Sequence, residues 1–408
     1  MTAAWYAAAA SLAIAVGTLG VVCLTAHPLR LGRCLLAWSA ALFGLGLTLA
    51  FAPAAAHRWV GLGAAFALAL ASYLLTAVRI LSRDDPRPLP PMTRVPGEPG
   101  AGHTAVVYFA HGEPETYDPI GWINQFREFD RQGIRFVPLV ARPIFLQRLR
   151  TGYLRIGRSE HRRTHLRMLG VLEQSFRERR DSTTHFYLCF LDDRPRPDAA
   201  VIQALNEGAD RIVVAEVFLT VSSHTAEGEE LINALDLEDR FGVPVVYSGP
   251  LHDSATLRRM FVERTVQAAD GLDRSRVGVL LVGHGQPDDW DRRWPTQTEQ
   301  EMSFRRGVLT ALAEEGFPPE NLSLAWMEFK DPRPAEKAEE LAARGVQRIL
   351  YFSAAISADS MHSQYDTPQL LARARLPEDV TLVNLGAWND HPLVIQAIRE
   401  KIDACLAR

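Results

Sequence analysis

The sequence predicts an α/β body of two duplicated parallel-sheet lobes with helices on both faces, preceded by an all-helical transmembrane leader. Three observations predict this architecture: an apolar N-terminal stretch without acidic residues, alternating β-rich and helical patterns after residue 103, and motifs that recur in order along the second half. The chain has 408 residues, enough for two or three domains. We expect a transmembrane region at 1–83, a Pro/Gly-rich tether at 84–103, and lobes at 104–272 and 273–408.

Three apolar runs in the leader are long enough to cross a bilayer, which takes about 20 residues as a helix. They span about Ala3–Ala26, Cys34–Pro53 and Trp59–Leu81. If all three runs cross the bilayer, the arginines beside the first loop and after the third run lie on the same side of the membrane. The positive-inside rule makes that side cytoplasmic. The arginines concerned are Arg30, Arg33, Arg79, Arg83 and Arg87. We therefore expect a multi-pass protein of the cell (inner) membrane with a cytoplasmic body; a re-entrant second run would put the body outside.

Charge and cysteine content exclude several classes of protein. The five arginines of residues 1–83 leave 39 basic against 48 acidic residues in 84–408, a net charge of 39 − 48 = −9. A nucleic-acid partner is not expected, because a body that binds nucleic acid should be basic. Four cysteines without a CxxC pair exclude a disulfide scaffold, a Cys-rich zinc site and an iron–sulfur cluster built by this chain alone.

The body begins where the Pro/Gly-rich tether ends, since that composition does not form a helix or a central strand. Short β-rich runs then alternate with helical patterns, which predicts parallel sheets covered by helices. The predicted strands include Ala105–Ala110, Phe186–Phe190, Arg211–Phe218, Val243–Tyr247 and Val277–Val282.

The second half of the body repeats the motifs of the first. His111-Gly112-Glu113-Pro114 after the first strand corresponds to His284-Gly285-Gln286-Pro287. Further along, Arg194-Pro195-Arg196-Pro197 matches Asp331-Pro332-Arg333-Pro334, and Arg211-Ile212 matches Arg348-Ile349, both at an offset of 137. A later strand in each half leads to a polar segment with one histidine, His224 and His362, at an offset of 138. These correspondences indicate an internal duplication.

Four of the twelve histidines stand at equivalent points of the two halves: His111, His224, His284 and His362. Ligands of open parallel sheets bind outside the carboxyl ends of the strands, so two histidines of each half can share one crevice. Neutral imidazole is a ligand for Fe, Co, Ni and Zn. We predict these four residues as both the metal ligands and the catalytic groups. His161 and His165 stand four apart in an arginine-rich stretch, where a solvated basic helix face is favoured over a zinc pair.

Over residues 104–408 the pattern resembles the class II tetrapyrrole chelatases: the sirohydrochlorin cobalt- and ferrochelatases and the related protoporphyrin ferrochelatases. Val282-Gly283-His284-Gly285 resembles the Gly-His-Gly of the family's first strand, and Phe218-Leu219 followed by His224 resembles its Phe-Leu…His segment. Ala358–Asp366 resembles the ferrochelatase Ser-Asp-His-x-Glu-Thr-x-Tyr-Glu segment, and Asp390-His391-Pro392-Leu393 its final His-Pro-Leu turn. His362 stands where the protoporphyrin enzymes place Glu, which favours the cobalt-type branch.

The resemblance implies a metal chelatase, a lyase that inserts Co²⁺ or Fe²⁺ into a sirohydrochlorin-like or porphyrin tetrapyrrole for cobalamin or heme biosynthesis. The partners it implies are the tetrapyrrole, the divalent metal and the membrane. No cofactor beyond the metal substrate is expected, and the absence of a Walker lysine motif argues against ATP-driven chelation. The alternative is a non-catalytic tetrapyrrole or metal carrier at the membrane. Several aromatic residues and arginines are candidates for contacts with the periphery of the tetrapyrrole. The alternative, equally favoured, is that the aromatic residues belong to the core and the arginines to a solvated surface. These residues are Tyr117, Trp122, Trp290, Trp294, Arg148, Arg150, Arg155 and Arg158.

Overall fold

The structure is a computed structural model that describes residues 2–82, 88–131, 133 and 137–408. Two of the orienting arginines, Arg83 and Arg87, lie outside the described residues. The chain forms two compact units, one of Met1–Arg87 with Thr116–Arg158 and one of Pro88–Glu115 with Ser159–Arg408. The predicted domains divide the chain at other points, because residues 116–158 group with the leader instead of with the first lobe.

The leader folds into three helices, α1 (Thr2–Thr25), α2 (Pro28–Ala50) and α3 (Ala55–Leu81). By length and composition, all three are able to span a membrane. The second helix begins earlier than the predicted run, because Pro28 occupies its first turn and the His27 ring accepts the N–H of Leu29. A Cβ atom at Gly17 would lie 2.1 Å from the carbonyl oxygen of Ala69, so the close crossing of α1 and α3 requires glycine there.

The first unit also contains α4 (Pro119–Arg131) and α5 (Arg142–Ile156), which pack against the ends of α1 and α3. The buried apolar side chains at this contact are Val21, Ala77, Leu81, Ile123, Phe126 and Leu146. Arg150 donates to the carbonyl oxygens of Cys23 at 2.7 Å and Ala26 at 2.8 Å, which satisfies groups that the end of α1 leaves unpaired.

The segment that holds α4 and α5 is an insertion in the first lobe. His111 and His284 differ by 173 positions, whereas Arg211 and Arg348 differ by 137, so the first lobe carries 173 − 137 = 36 additional residues between these points. The insertion and the leader therefore form one compact unit, although the first strand of the body separates them in the chain.

The second unit contains two four-stranded parallel sheets with the same strand order. The first sheet has β1 (His103–Ala110), β2 (Thr184–Phe190), β3 (Ala209–Glu216) and β4 (Val245–Tyr247), in the order β2-β1-β3-β4. The second has β5 (Val277–Gly283), β6 (Leu322–Trp326), β7 (Arg348–Ser353) and β8 (Thr381–Asn384), in the order β6-β5-β7-β8. The predicted α/β fold with two duplicated parallel sheets is confirmed.

Helices cover both sheets. They are α6 (His161–Glu178), α7 (Pro197–Asn206), α8 (Ser223–Asn233), α9 (Leu237–Phe241), α10 (Ala255–Ala268), α11 (Asp288–Arg293), α12 (Pro295–Glu314), α13 (Pro334–Ala343), α14 (Thr367–Leu371) and α15 (Pro392–Leu406). One turn of π-helix at His362–Asp366 precedes α14.

The lobes exchange their last helices. Phe261 of α10 packs its ring against Phe304 of α12 and Phe352 of β7, with ring centroids 5.7 and 4.9 Å apart. In the other direction α15 contacts β3 and α6 of the first lobe, where Arg211 donates to the Cys405 carbonyl oxygen at 2.8 Å. A single apolar core runs through both lobes as a result.

Residues 88–102 of the predicted tether form neither helix nor strand. They are fixed to the first lobe, since Arg94 donates to the Ala209 carbonyl oxygen at 2.6 Å and the Gly102 N–H donates to Asp210 at 2.8 Å. Residues 88–102 thus form an ordered strap on the second unit.

Candidate metal-binding crevice

His111 and His284 stand immediately after β1 and β5, at the carboxyl ends of the two sheets. In each, Nδ1 lies within hydrogen-bond distance of the carbonyl oxygen of the next glycine, 2.9 Å for His111 and 2.6 Å for His284. A carbonyl oxygen only accepts, so Nδ1 carries the hydrogen and Nε2 keeps its lone pair. Both imidazoles are therefore held in the tautomer that presents Nε2 as a ligand.

The glycines that accept these hydrogen bonds adopt a backbone conformation that other residues rarely take. Gly112 has a φ of 86° and Gly285 a φ of 83°. A Cβ atom at Gly112 would lie 2.6 Å from the Cβ of Phe190, and one at Gly285 would lie 2.2 Å from the carbonyl oxygen of Glu328. The His-Gly pair after each first strand is thus dictated by local geometry as well as by chemistry.

The second histidine of each lobe follows a matching cap. The Ser222 N–H donates to Thr225 Oγ1 at 2.9 Å, and the Ser360 N–H donates to Ser363 Oγ at 3.0 Å. His224 and His362 occupy the same place in these caps, two residues after the serine.

The caps direct each second histidine toward the strand-end histidine of its own lobe. The ring centroids are 4.6 Å apart for His111 and His224, and 5.1 Å apart for His284 and His362. The structure thus brings together the pairs that we predicted from the sequence, while their role in metal binding and catalysis stays a prediction.

The two pairs face each other across the junction of the lobes. Glu113 of the first lobe accepts the N–H of Met361, next to His362, at 3.0 Å. The ring of Trp290, from the second lobe, meets the His224 ring edge-on with centroids 5.9 Å apart. These two contacts bring the histidine pairs of both lobes to one crevice.

Two carboxylates that the sequence analysis missed accompany the pairs. Asp192 follows β2 and lies 3.6 Å from Nε2 of His111. Glu328 follows β6 in the same way: the Asp192 N–H donates to the His111 carbonyl oxygen and the Glu328 N–H to that of His284. The sequence contained a signal for these carboxylates. Asp192 and Glu328 each follow the strand that pairs with the first strand of its lobe, and they stand 136 positions apart.

The four histidines have different electrostatic surroundings. Burial and the neighbouring imidazoles hold the pKa of His224 well below its usual range, and burial also lowers the pKa of His284. For His362, burial opposes the charged form, but a 2.9 Å hydrogen bond to Asp366 and nearby acidic charges outweigh it and raise the pKa to about 9. The first lobe thus offers a neutral second imidazole, and the second lobe a protonated one.

The interpretation of His161 and His165 as part of a solvated face was wrong. Both are buried on the inner face of α6, and their ring centroids lie 4.5 Å apart. His165 is hydrogen-bonded to the Tyr108 hydroxyl at 2.8 Å and the Ser357 hydroxyl at 3.2 Å, and burial lowers its pKa to about 3. The flanking arginines are exposed or half-buried, which produced the polar pattern in the sequence.

The candidate peripheral residues fall in different places. Trp290 lies in the crevice, with the Trp294 ring 6.3 Å from it. Tyr117 and Trp122 belong to the first unit, as do the four arginines between 148 and 158. Arg150 is buried and donates to carbonyl oxygens at the end of α1.

Within the described residues, no three His, Cys, Asp or Glu side chains stand close enough to hold a metal ion together. Each histidine pair by itself offers two nitrogen ligands. Two ligands leave most of the coordination sphere of a divalent ion open, which suits an ion that is to be passed on instead of one that is retained.

Comparison with known proteins gives one family match. Residues 153–268 match the CbiX family model. No curated protein matches the chain.

Among solved structures, SirB from Bacillus subtilis with Fe3+ is similar at 14% identity and a TM-score of 0.46, over 74% of this chain and 94% of that one. SirB from Bacillus subtilis subspecies spizizenii in complex with cobalt, described as a sirohydrochlorin chelatase, is similar at 14% identity and a TM-score of 0.43, with the same coverage. At this level of similarity, neither structure identifies a metal or a substrate for this chain. The match of residues 153–268 to the CbiX family model confirms the expected resemblance to the class II tetrapyrrole chelatases over that region.

Proposed function

We propose that the protein is a membrane-tethered chelatase that inserts a divalent metal, Co²⁺ or Fe²⁺, into a sirohydrochlorin-like or porphyrin tetrapyrrole. The observation that carries the proposal is the doubled histidine pair. Nδ1 of both strand-end histidines is bonded to a glycine carbonyl, which leaves two Nε2 lone pairs directed away from those bonds in one crevice. The match of residues 153–268 to the CbiX family supports the same function.

Metal insertion requires a desolvated ion and acceptors for the two pyrrole N–H protons. We assign metal binding to His111, His224, His284 and His362, because imidazole binds Co²⁺ and Fe²⁺ without adding charge. The carboxylates Asp192 and Glu328 stand beside these groups as proton acceptors. No cofactor beyond the metal substrate enters this scheme.

The membrane part of the proposal is supported by α1–α3, which are long and apolar enough to span a bilayer. Arginines lie at the C-terminal end of α3 and at the N-terminal end of α2, where a three-span arrangement brings them to one side. We therefore propose a multi-pass protein of the cell membrane with a cytoplasmic body.

A substrate panel tests the proposal with the full chain in detergent or in nanodiscs. Sirohydrochlorin, coproporphyrin or protoporphyrin is mixed with Co²⁺ or Fe²⁺, and the absorption spectrum is followed over time. We expect many turnovers per protein molecule for one tetrapyrrole and metal. The second candidate function, favoured by the membrane helices, is a carrier of tetrapyrrole or metal. Stoichiometric binding of the tetrapyrrole or the metal, without conversion to the metallated product, would establish that function instead.

The double variant His111→Ala/His284→Ala tests the site. It removes both carbonyl-oriented imidazoles, so we expect insertion to be abolished in a protein with unchanged circular dichroism. His185→Ala is the matched control, because His185 is exposed and stacks on His103 instead of facing the crevice. Unchanged insertion rates in the double variant would refute the assignment.

A further inference from the structure

The 36-residue insertion of the first lobe has a position that the chelatase function does not require. It folds onto the C-terminal ends of α1 and α3, where Leu146 of α5 packs with Ala77 and Leu81. The Tyr73 hydroxyl donates to the Val140 carbonyl oxygen at 2.9 Å. Tyr73 precedes the end of α3 at Leu81 by two helical turns, or about 12 Å at 1.5 Å per residue. The segment before α5 therefore reaches alongside the last turns of α3.

The outward face of α5 combines apolar and basic side chains. Positions 144, 148, 151 and 155 recur at the helical spacing and share one side of the helix. Ile144 on this face is 57% exposed, and Leu154 at its edge is 58% exposed. Arg148 and Arg155 belong to the same face and are exposed as well.

The charge of this segment has one sign. Residues 139–158 contain five arginines and no Asp or Glu; Arg142 and Arg150 are buried, and the exposed ones are Arg148, Arg155 and Arg158. Exposed Val140, at 48%, continues the apolar side chains toward α3. A basic face with apolar side chains, attached to helices that can span a bilayer, matches the charge and polarity of an anionic lipid surface.

We propose that the outer face of α5 lies in the headgroup layer of an anionic membrane leaflet. Val140 and Ile144 insert between the acyl chains, and the arginines contact lipid phosphates, with their aliphatic stems alongside the lipid. The insertion is then an interfacial platform that adds a fourth membrane contact to the three spans. This inference rests on the membrane-spanning part of the proposed function and is independent of chelatase activity.

Depth-dependent quenching in nanodiscs tests the platform with the full chain. A fluorophore is attached through Ile144→Cys in a variant whose four native cysteines are replaced by alanine. We expect strong quenching by lipids that carry a nitroxide on the acyl chain, and stronger quenching in discs of phosphatidylcholine with phosphatidylglycerol than in phosphatidylcholine alone. Ala343→Cys is the matched control, because Ala343 is exposed on α13 in the second unit, and we expect no quenching there.

Further variants and an extraction assay separate the possible outcomes. Arg148→Gln with Arg155→Gln should remove most of the added quenching that phosphatidylglycerol causes at position 144. If membranes retain the chain during alkaline carbonate extraction while position 144 stays as unquenched as position 343, the platform is refuted and the spans stand. If carbonate releases the chain, the spans and the platform both fail, whereas the substrate panel still decides the chelatase function.

Discussion

The carboxylate of Glu113, in the turn after β1, accepts the backbone N–H of Met361 at 3.0 Å and so joins the two lobes one residue before His362. Burial raises the pKa of Glu113, although this hydrogen bond and the charge of His362 oppose the rise. One carboxylate therefore connects the turn of the first histidine pair with the cap of the second.

Replacing Glu113 by Ala should loosen this connection. We expect a loss of about 2 kcal/mol in the free energy of unfolding of the second unit, because the Met361 N–H loses its acceptor, together with slower metal insertion. Chemical denaturation and the spectral assay measure the two effects. Glu113→Gln keeps an acceptor oxygen and should retain most of the stability; equal losses in Gln and Ala would show that the hydrogen bond is not the cause.

Replacing Asp366 by Asn should weaken metal binding in the second lobe. Asp366 accepts a hydrogen bond from Nδ1 of His362 at 2.9 Å and so orients the ring, whose Nε2 becomes a ligand once a metal displaces its proton. We expect affinity for Co²⁺, measured by its absorption bands, to fall about 10-fold to 100-fold. Asp379→Asn on an exposed loop is the control. An unchanged affinity in Asp366→Asn would separate His362 from metal binding.

Replacing Gly285 by Ala should abolish insertion more completely than it destabilises the protein. The new Cβ would meet the carbonyl oxygen of Glu328 at 2.2 Å, so the His284 ring must move. Gly345→Ala is the matched control, because Gly345 has a similar φ of 86° with no neighbour within 4 Å. The control should lose about 1 kcal/mol of stability, measured by denaturation, and keep its activity. Full activity in Gly285→Ala would contradict the positioning role of this turn.

The contribution of Glu216 to the stability of the second unit should fall as the pH rises from about 4.5 to 8. Burial, together with the neighbouring Glu229 carboxyl, raises the pKa of Glu216 at the end of β3 from 4.5 to about 8. The folded state thus binds more protons than the unfolded state in this window, so the contribution is present below pH 4.5 and is lost above pH 8. Glu216→Gln should flatten the dependence in denaturation curves, whereas Glu238→Gln, at an exposed position, should leave it unchanged.

Strand positions and the histidine pairs could be predicted from the sequence because both depend on local patterns. β1 and β5 begin and end within two residues of the predicted runs, and the His-Gly turns follow directly. Parallel strands deliver their carboxyl ends to one edge, so the strand-end histidines could be assigned to the crevice without knowing which side chains face each other.

The errors came from residues whose burial depends on distant packing. Along α6, the buried positions include His161, Thr164, His165, Met168 and Leu172, a regular helical stripe. The arginines between them made the two histidines look solvated, whereas Phe190 of the same lobe packs on both rings and Ser357 of the other lobe bonds to His165. The grouping of the insertion with the leader likewise depends on contacts between segments that the first strand separates.

The exchange of α10 and α15 makes each half of the body incomplete without the other. A chain severed between residues 268 and 277 would yield a first fragment lacking α15, which contacts β3, and a second lacking the Phe261 ring that packs on β7. Neither fragment could bury its sheet alone, so the pieces would have to be produced together to restore a soluble body. A single chain supplies both halves in equal amounts, so each sheet meets its covering helix without a search between separate molecules.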